Sequence, residues 1–99
     1  MFYDGEGVPK NDTEAIKWFR RAADQGHASA QLNLGLAYVK GEGIPRNEVE
    51  AYFWLNLAAA QGSENAKQAR DLLVQLMTRE QISEAQNRSA TWKSKGETQ

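Results

Sequence analysis

Apolar residues recur at spacings of three and four along most of this chain, a period that predicts amphipathic helices joined by short turns. From Asp12 to Asp24 the stripe is Ala15, Ile16, Trp18, Phe19, Ala22 and Ala23, with Asn11 as the capping residue, Glu14 three positions on and Gly26 as the stop. Ala30, Leu34, Ala37 and Tyr38 mark a second helix over roughly residues 28–40. Asn47 and Glu50 open a third, whose stripe is Ala51, Trp54, Leu55, Ala58 and Ala59 and whose end is Gly62. Ser63 reads as the cap of a fourth, carrying Ala66, Ala69, Leu73, Leu76 and Met77. Thr78-Arg79-Glu80-Gln81 fits a capping box and starts a fifth, more polar helix through Ile82, Ala85, Ser89 and Trp92. No stretch reads as a strand, so the expected class is all-α. Residues 94–99 are expected to be a frayed tail.

The punctuation between these helices repeats. Gly41-Glu42-Gly43-Ile44-Pro45 restates Gly5-Glu6-Gly7-Val8-Pro9 at a distance of 41 − 5 = 36 residues, and the match continues without a gap. Over residues 5–26 against 41–62, 12 of 22 positions are identical, among them Asn11/Asn47, Glu14/Glu50, Ala15/Ala51, Trp18/Trp54 and Gln25-Gly26/Gln61-Gly62. A constant period of this size marks stacked units, each burying its apolar face against its neighbours. The two glycines and Pro45 break the helix, and Pro45 holds Ile44 out of the α region. Without a third glycine, a preceding strand or a Lys-Ser/Thr pair, these blocks read as turns and make weak phosphate cradles.

The string Ala30-Gln31-x-x-Leu34-Gly35-x-x-Tyr38-x-x-Gly41-x-Gly43-Ile44-Pro45, followed by Ala51, Trp54, Ala58-Ala59 and Gly62, closely resembles the Sel-one-like repeat (SLR). This is a longer-unit branch of the tetratricopeptide-repeat (TPR) superfamily. The ending Leu76-x-Thr78-x-Glu80-Gln81-Ile82-x-Glu84-Ala85 resembles the close of an SLR array. The resemblance implies an α-solenoid, a right-handed superhelix of antiparallel helix pairs. It divides residues 1–93 into a partial first repeat (1–26) lacking its first helix, a complete repeat (27–62) and a C-terminal capping repeat (63–93). It further implies a non-catalytic adaptor that binds a protein or peptide on the concave face lined by the first helix of each pair.

On that register the recurring Trp18 and Trp54 are read as packing residues that fill the gaps between helix pairs. The face opposite Ala30, Leu34 and Tyr38 is the candidate groove: Ser29, Leu32, Asn33, Leu36, Val39 and Lys40, extended by Gln68, Leu72 and Gln75. Leu32, Leu36 and Val39 form an apolar strip suited to one face of a partner helix or to an extended peptide. The competing reading has Leu32 and Leu36 packing against neighbouring units. Phe2 aligns with Tyr38, so the helix corresponding to residues 28–37 is expected to be missing before it. That predicts an apolar edge of Phe2, Ile16, Trp18 and Phe19, with three competing explanations: a piece of a longer array, closure by homodimerisation, or tolerated exposure.

Charge and chemistry narrow the picture further. Twelve basic and 13 acidic residues give a formal net charge of −1, which supplies no field for nucleic acid or an anionic membrane. The densest basic stretch, Lys17 with Arg20 and Arg21, is accompanied by Asp24 and reads as a solvated helix face. No apolar run approaches the ~20 residues of a membrane span. The start carries no basic leader or apolar core of a signal peptide, which favours the cytoplasm, although a processed fragment would suit the periplasm or secretion. Zero cysteines remove disulfides, thiol catalysis and Cys-ligated zinc together. The single histidine, His27, has no second ligand near it in sequence and reads as a loop residue, so no catalytic residue, metal or cofactor is expected. Two rival readings remain. One is β-lactam binding or hydrolysis, proposed for cysteine-rich SLR relatives, although this chain lacks the cysteines and any Ser-x-x-Lys pattern. The other is a structural segment of a longer scaffold.

Overall fold

Three of the helix starts fall where their capping residues put them. The computed structural model describes residues 12–92, and the helices among them are α1 (Asp12–Asp24), α2 (Ala28–Lys40), α3 (Glu48–Ala60), α4 (Glu64–Leu73) and α5 (Arg79–Thr91). Asn47 Oδ1 accepts from the Glu50 backbone N–H at 3.1 Å, and Ser63 Oγ accepts from that of Ala66 at 3.2 Å. Thr78 and Gln81 close the predicted capping box, with bonds of 3.1 and 2.9 Å. Each satisfies an amide that the first helical turn leaves without an intrahelical partner. A short 3₁₀ turn, Val74–Leu76, follows α4. Asn11, Phe2, the first Gly-Glu-Gly block and residues 94–99 lie outside the described residues.

The period is visible in the turns. Gly26 and Gly62, 36 residues apart, take φ of 95° and 102°, values that a side chain disfavours. In both turns the chain folds back alike: His27 and Ser63 donate from their backbone nitrogens to the carbonyls of Ala22 and Ala58, each at 3.1 Å. Gln31 joins the two levels. Its fully buried side chain donates to the Ala23 carbonyl at 3.2 Å and accepts from Gln61 Nε2 at 2.9 Å. The amide thus meets the requirement that a buried polar group be hydrogen-bonded.

The core centres on α3, which packs against α2, α4 and α5, while α1 packs against α2. Five consecutive residues of α3, Ala51 to Leu55, are buried, so the helix is apolar on nearly all sides, as expected for one surrounded by neighbours. Leu34 and Leu55 are wholly enclosed. Gly35 lets α2 and α3 approach closely: a Cβ there would stand 2.7 Å from Leu55 Cγ.

The fifth helix lies on the side of α3 that a single apolar stripe would leave open. Arg88 pairs with Glu50 at 2.8 Å and stacks over Phe53 at 4.4 Å from the ring centroid. Asn56 Nδ2 donates to Ser89 Oγ at 2.9 Å, and Gln86 Nε2 donates to the Tyr52 hydroxyl at 3.2 Å. Trp92 meets Trp54 edge-on at 6.1 Å, and Ala85 is buried. These contacts explain why Tyr52 and Phe53, outside the predicted stripe, are nevertheless buried.

Candidate functional site

The groove residues sit on two helices related by the repeat and on the turn after the second. Adding 36 takes Leu32 to Gln68, Leu36 to Leu72 and Val39 to Gln75; Gln68 and Leu72 lie on α4, and Gln75 lies in the 3₁₀ turn that follows it. Both helices pack on α3, and they also touch each other. Ser29, Asn33, Lys40, Gln68, Leu72 and Gln75 are exposed. Leu32, Leu36 and Val39 are half-buried and lean against the core, so one edge of each packs while the other remains accessible. Leu72 stands out, with 68% of its surface exposed.

Leu76 belongs with this group although the sequence pattern places it on the core stripe. It is 65% exposed because the chain leaves α-helical geometry at Val74, which turns the side chain away from the stripe. The signal was present in the register, since Leu76 lies one period after the exposed Lys40. Asn33, Gln68 and Gln75 expose amides, and Lys40 an ammonium, on the same elements. Nearby, Arg70 is engaged by Asn56 Oδ1 at 2.8 Å and by Asp71 at 3.2 Å.

The predicted apolar edge resolves differently. Ile16 is buried and Phe19 is half-buried against the core, whereas Trp18 is 53% exposed. Trp18 is therefore not the gap-filling residue expected from its match to Trp54, which is only 3% exposed. The reason lies in the surroundings: Trp92, just after α5, meets Trp54 edge-on, whereas of the described helices only α2 packs substantially against α1. The Arg21 guanidinium instead lies 5.4 Å from the centroid of the Trp18 ring. Arg20 is drawn in the other direction, donating to the Tyr38 hydroxyl.

His27 is exposed at the N-cap position of α2, and its side chain caps no amide. Among the described residues no group of three or more His, Asp or Glu side chains is placed to hold a metal ion. No described helix is long and apolar enough to cross a membrane.

Comparison with known proteins fits this architecture. The Sel1 repeat model matches residues 1–27 and again 28–63, close to two thirds of the chain. The chain is similar to a protective antigen of uropathogenic Escherichia coli strains whose crystal structure displays an SLR fold. The TM-score is 0.85 at 30% identity, over 92% of this chain and 20% of that one. It is also similar to a Sel1 repeat protein from Oxalobacter formigenes, with a TM-score of 0.71 at 37% identity, over 93% of this chain and 40% of that one. The chain thus spans a fifth to two fifths of the length of these structures. No curated protein matches it significantly. Sel1 repeats generally serve as protein–protein interaction scaffolds, and the fold is typically non-catalytic. With two successive repeats matched and an all-helical SLR solenoid observed, the chain belongs to the Sel1 repeat family.

Proposed function

We propose that the chain is a non-catalytic adaptor that binds a protein or peptide on the concave face formed by α2 and α4. The observation that carries this reading is the exposure of Leu72 on α4 and Leu76 in the turn after it, one period from Leu36 and Lys40 of α2, the helix that α4 adjoins. Two large aliphatic side chains held in water on a small domain suit a surface that is covered in use. The flanking amides of Asn33, Gln68 and Gln75 supply both donors and acceptors for a partner's polar groups. Lys40 favours a partner with an acidic group at that end. Ser29, Leu32 and Val39 complete the strip on α2.

Capture of binding proteins by the immobilised chain tests this. Asn33→Glu with Leu36→Arg, and separately Leu72→Glu, are each expected to weaken capture of the same partner by at least about tenfold, because a charge is placed where apolar contact is made. Leu72→Glu is the cleaner variant, since its site is mostly solvated and its helical circular dichroism should match the parent. Unchanged capture by both variants, with folding intact, would move the binding surface elsewhere and leave these helices a scaffolding role.

A further inference from the structure

Helix α4 carries its polarity inside out at two positions. Its inward stripe runs through Ala66, Arg70 and Leu73 to Met77 beyond the 3₁₀ turn, with an arginine in the middle. One period earlier that place on α2 belongs to Leu34, which is wholly enclosed. Leu72, two residues after Arg70 and so roughly 200° further round the helix, is 68% exposed. A roll of α4 by about 100°, one residue position, would bring Ala69, Leu72 and Leu76 inward instead. The two stripes match in apolar content, one alanine and two large aliphatic side chains each, and the second carries no charge. Burial alone therefore favours the orientation that is not observed, and only Ala66 and Leu73 of α4 are fully buried.

A polar clamp accounts for the difference. Arg70 Nη1 donates to Asn56 Oδ1 of α3 at 2.8 Å, and Nε and Nη2 donate to Asp71 Oδ1 at 3.3 and 3.2 Å. The Asn56 amide is itself held in one sense. Its Nδ2 donates to Ser89 Oγ of α5 at 2.9 Å, while that hydroxyl donates to the Ala85 carbonyl at 3.0 Å. The oxygen end of the amide is thus left for Arg70. We propose that Asn56 is a positioning residue for the binding surface: by fixing Arg70 it sets the roll of α4 that keeps Leu72 in water. Hydrogen bonds to a charged group are among the stronger ones, and a half-buried guanidinium deprived of its acceptor turns toward solvent. That turn carries Leu72 inward. The use of the clamp rests on the reading of Leu72 as a contact residue, whereas the clamp itself is measured on the chain alone.

The test follows the leucine methyl signals of the intact ¹³C-labelled chain with a soluble gadolinium chelate, which broadens methyls that meet water. Signals of Leu72 and Leu73 are identified by their loss in Leu72→Met and Leu73→Met. In the parent Leu72 is expected to broaden and Leu73, 4% exposed, to be spared. In Asn56→Leu the two are expected to exchange behaviour as α4 rolls. Asn56→Asp, whose carboxylate still accepts from Arg70, should behave as the parent. So should Asn56→Leu combined with Arg70→Leu, in which no cation remains to be hydrated. Ser89→Ala removes the link to α5 without touching Arg70 and should leave Leu72 exposed. An unchanged pattern in Asn56→Leu would overturn the proposal, as would the same exchange in Ser89→Ala or its persistence in the double variant. Should Asn56→Leu lose its helical circular dichroism, Asn56→Ala, which also lacks the amide, supplies the deciding pattern. Undiminished partner capture by Leu72→Glu would remove the binding reading and leave the clamp standing.

Discussion

Trp54→Ala is expected to lower the stability of the chain by about 3–5 kcal/mol, the range for deleting a large aromatic from a packed core. The ring is 3% exposed, meets Phe53 edge-on at 4.8 Å and Trp92 at 6.1 Å, and sits on the helix that three others contact. Its removal leaves a cavity that cannot collapse without moving α5. One term works in the opposite direction. The Trp54 indole N–H is buried with no hydrogen-bond partner among the described residues, and its deletion returns the roughly 1–3 kcal/mol that an unmet donor costs. The loss of packing outweighs this, but the result should fall toward the lower end of the range. The equivalent change one period earlier, Trp18→Ala, should cost less than about 1 kcal/mol, since the ring is half in water and surface substitutions have small effects. Urea unfolding of both variants measures the difference, and comparable losses would contradict the contrast in burial.

The second large effect is expected at Gly35. A Cβ there would lie 2.7 and 2.8 Å from Leu55 Cγ and Cδ2 and 3.3 Å from the Ala51 carbonyl oxygen. Leu55 is fully enclosed and cannot swing aside, so α2 and α3 must separate. Replacing a mid-helix glycine by alanine ordinarily gains up to about 1 kcal/mol of helix propensity. Overpacking costs roughly 1–3 kcal/mol, so Gly35→Ala should be destabilising on balance. Gly35→Val, with further methyls and a β-branch, should lose about 3 kcal/mol. Leu55→Ala opens space at the same point. In the double variant Gly35→Val with Leu55→Ala, the two losses should therefore sum to less than their separate values, a coupling expected of residues in contact. Additive losses would mean that the two side chains do not compete for one volume.

Much of this architecture could be read from the spacing of a few residues. Asn47, Ser63 and Thr78 named three helix starts, and the period from Gly26 to Gly62 set the register that aligned α2 with α4. The register also separated the buried Ala30, Leu34 and Tyr38 of α2 from the exposed Ser29, Asn33 and Lys40, whereas Leu32, Leu36 and Val39 are half-buried. What the sequence left open depended on partners from distant elements. Tyr52 and Phe53 look like the wet side of α3 until α5 is laid on them, and nothing local announces that contact. Trp18 shows the converse: its match to Trp54 predicted burial, but a repeat conserves the side chain and not the helix that covers it. Leu76 escaped through geometry, since a change from α to 3₁₀ alters the angle per residue and detaches a side chain from its stripe.

The position of α3 bears on how the molecule comes apart. In a linear stack each unit is held by its nearest neighbours, so opening spreads one unit at a time and unfolding is graded. Here α3 is shared by α2, α4 and α5, and none of the three can leave without uncovering residues that the others need. The second and third units are therefore expected to unfold as one block, with α1, seated on α2, opening separately. Such a block melts in a single step, the condition under which a denaturation midpoint reports a free energy and not a blend of partial openings.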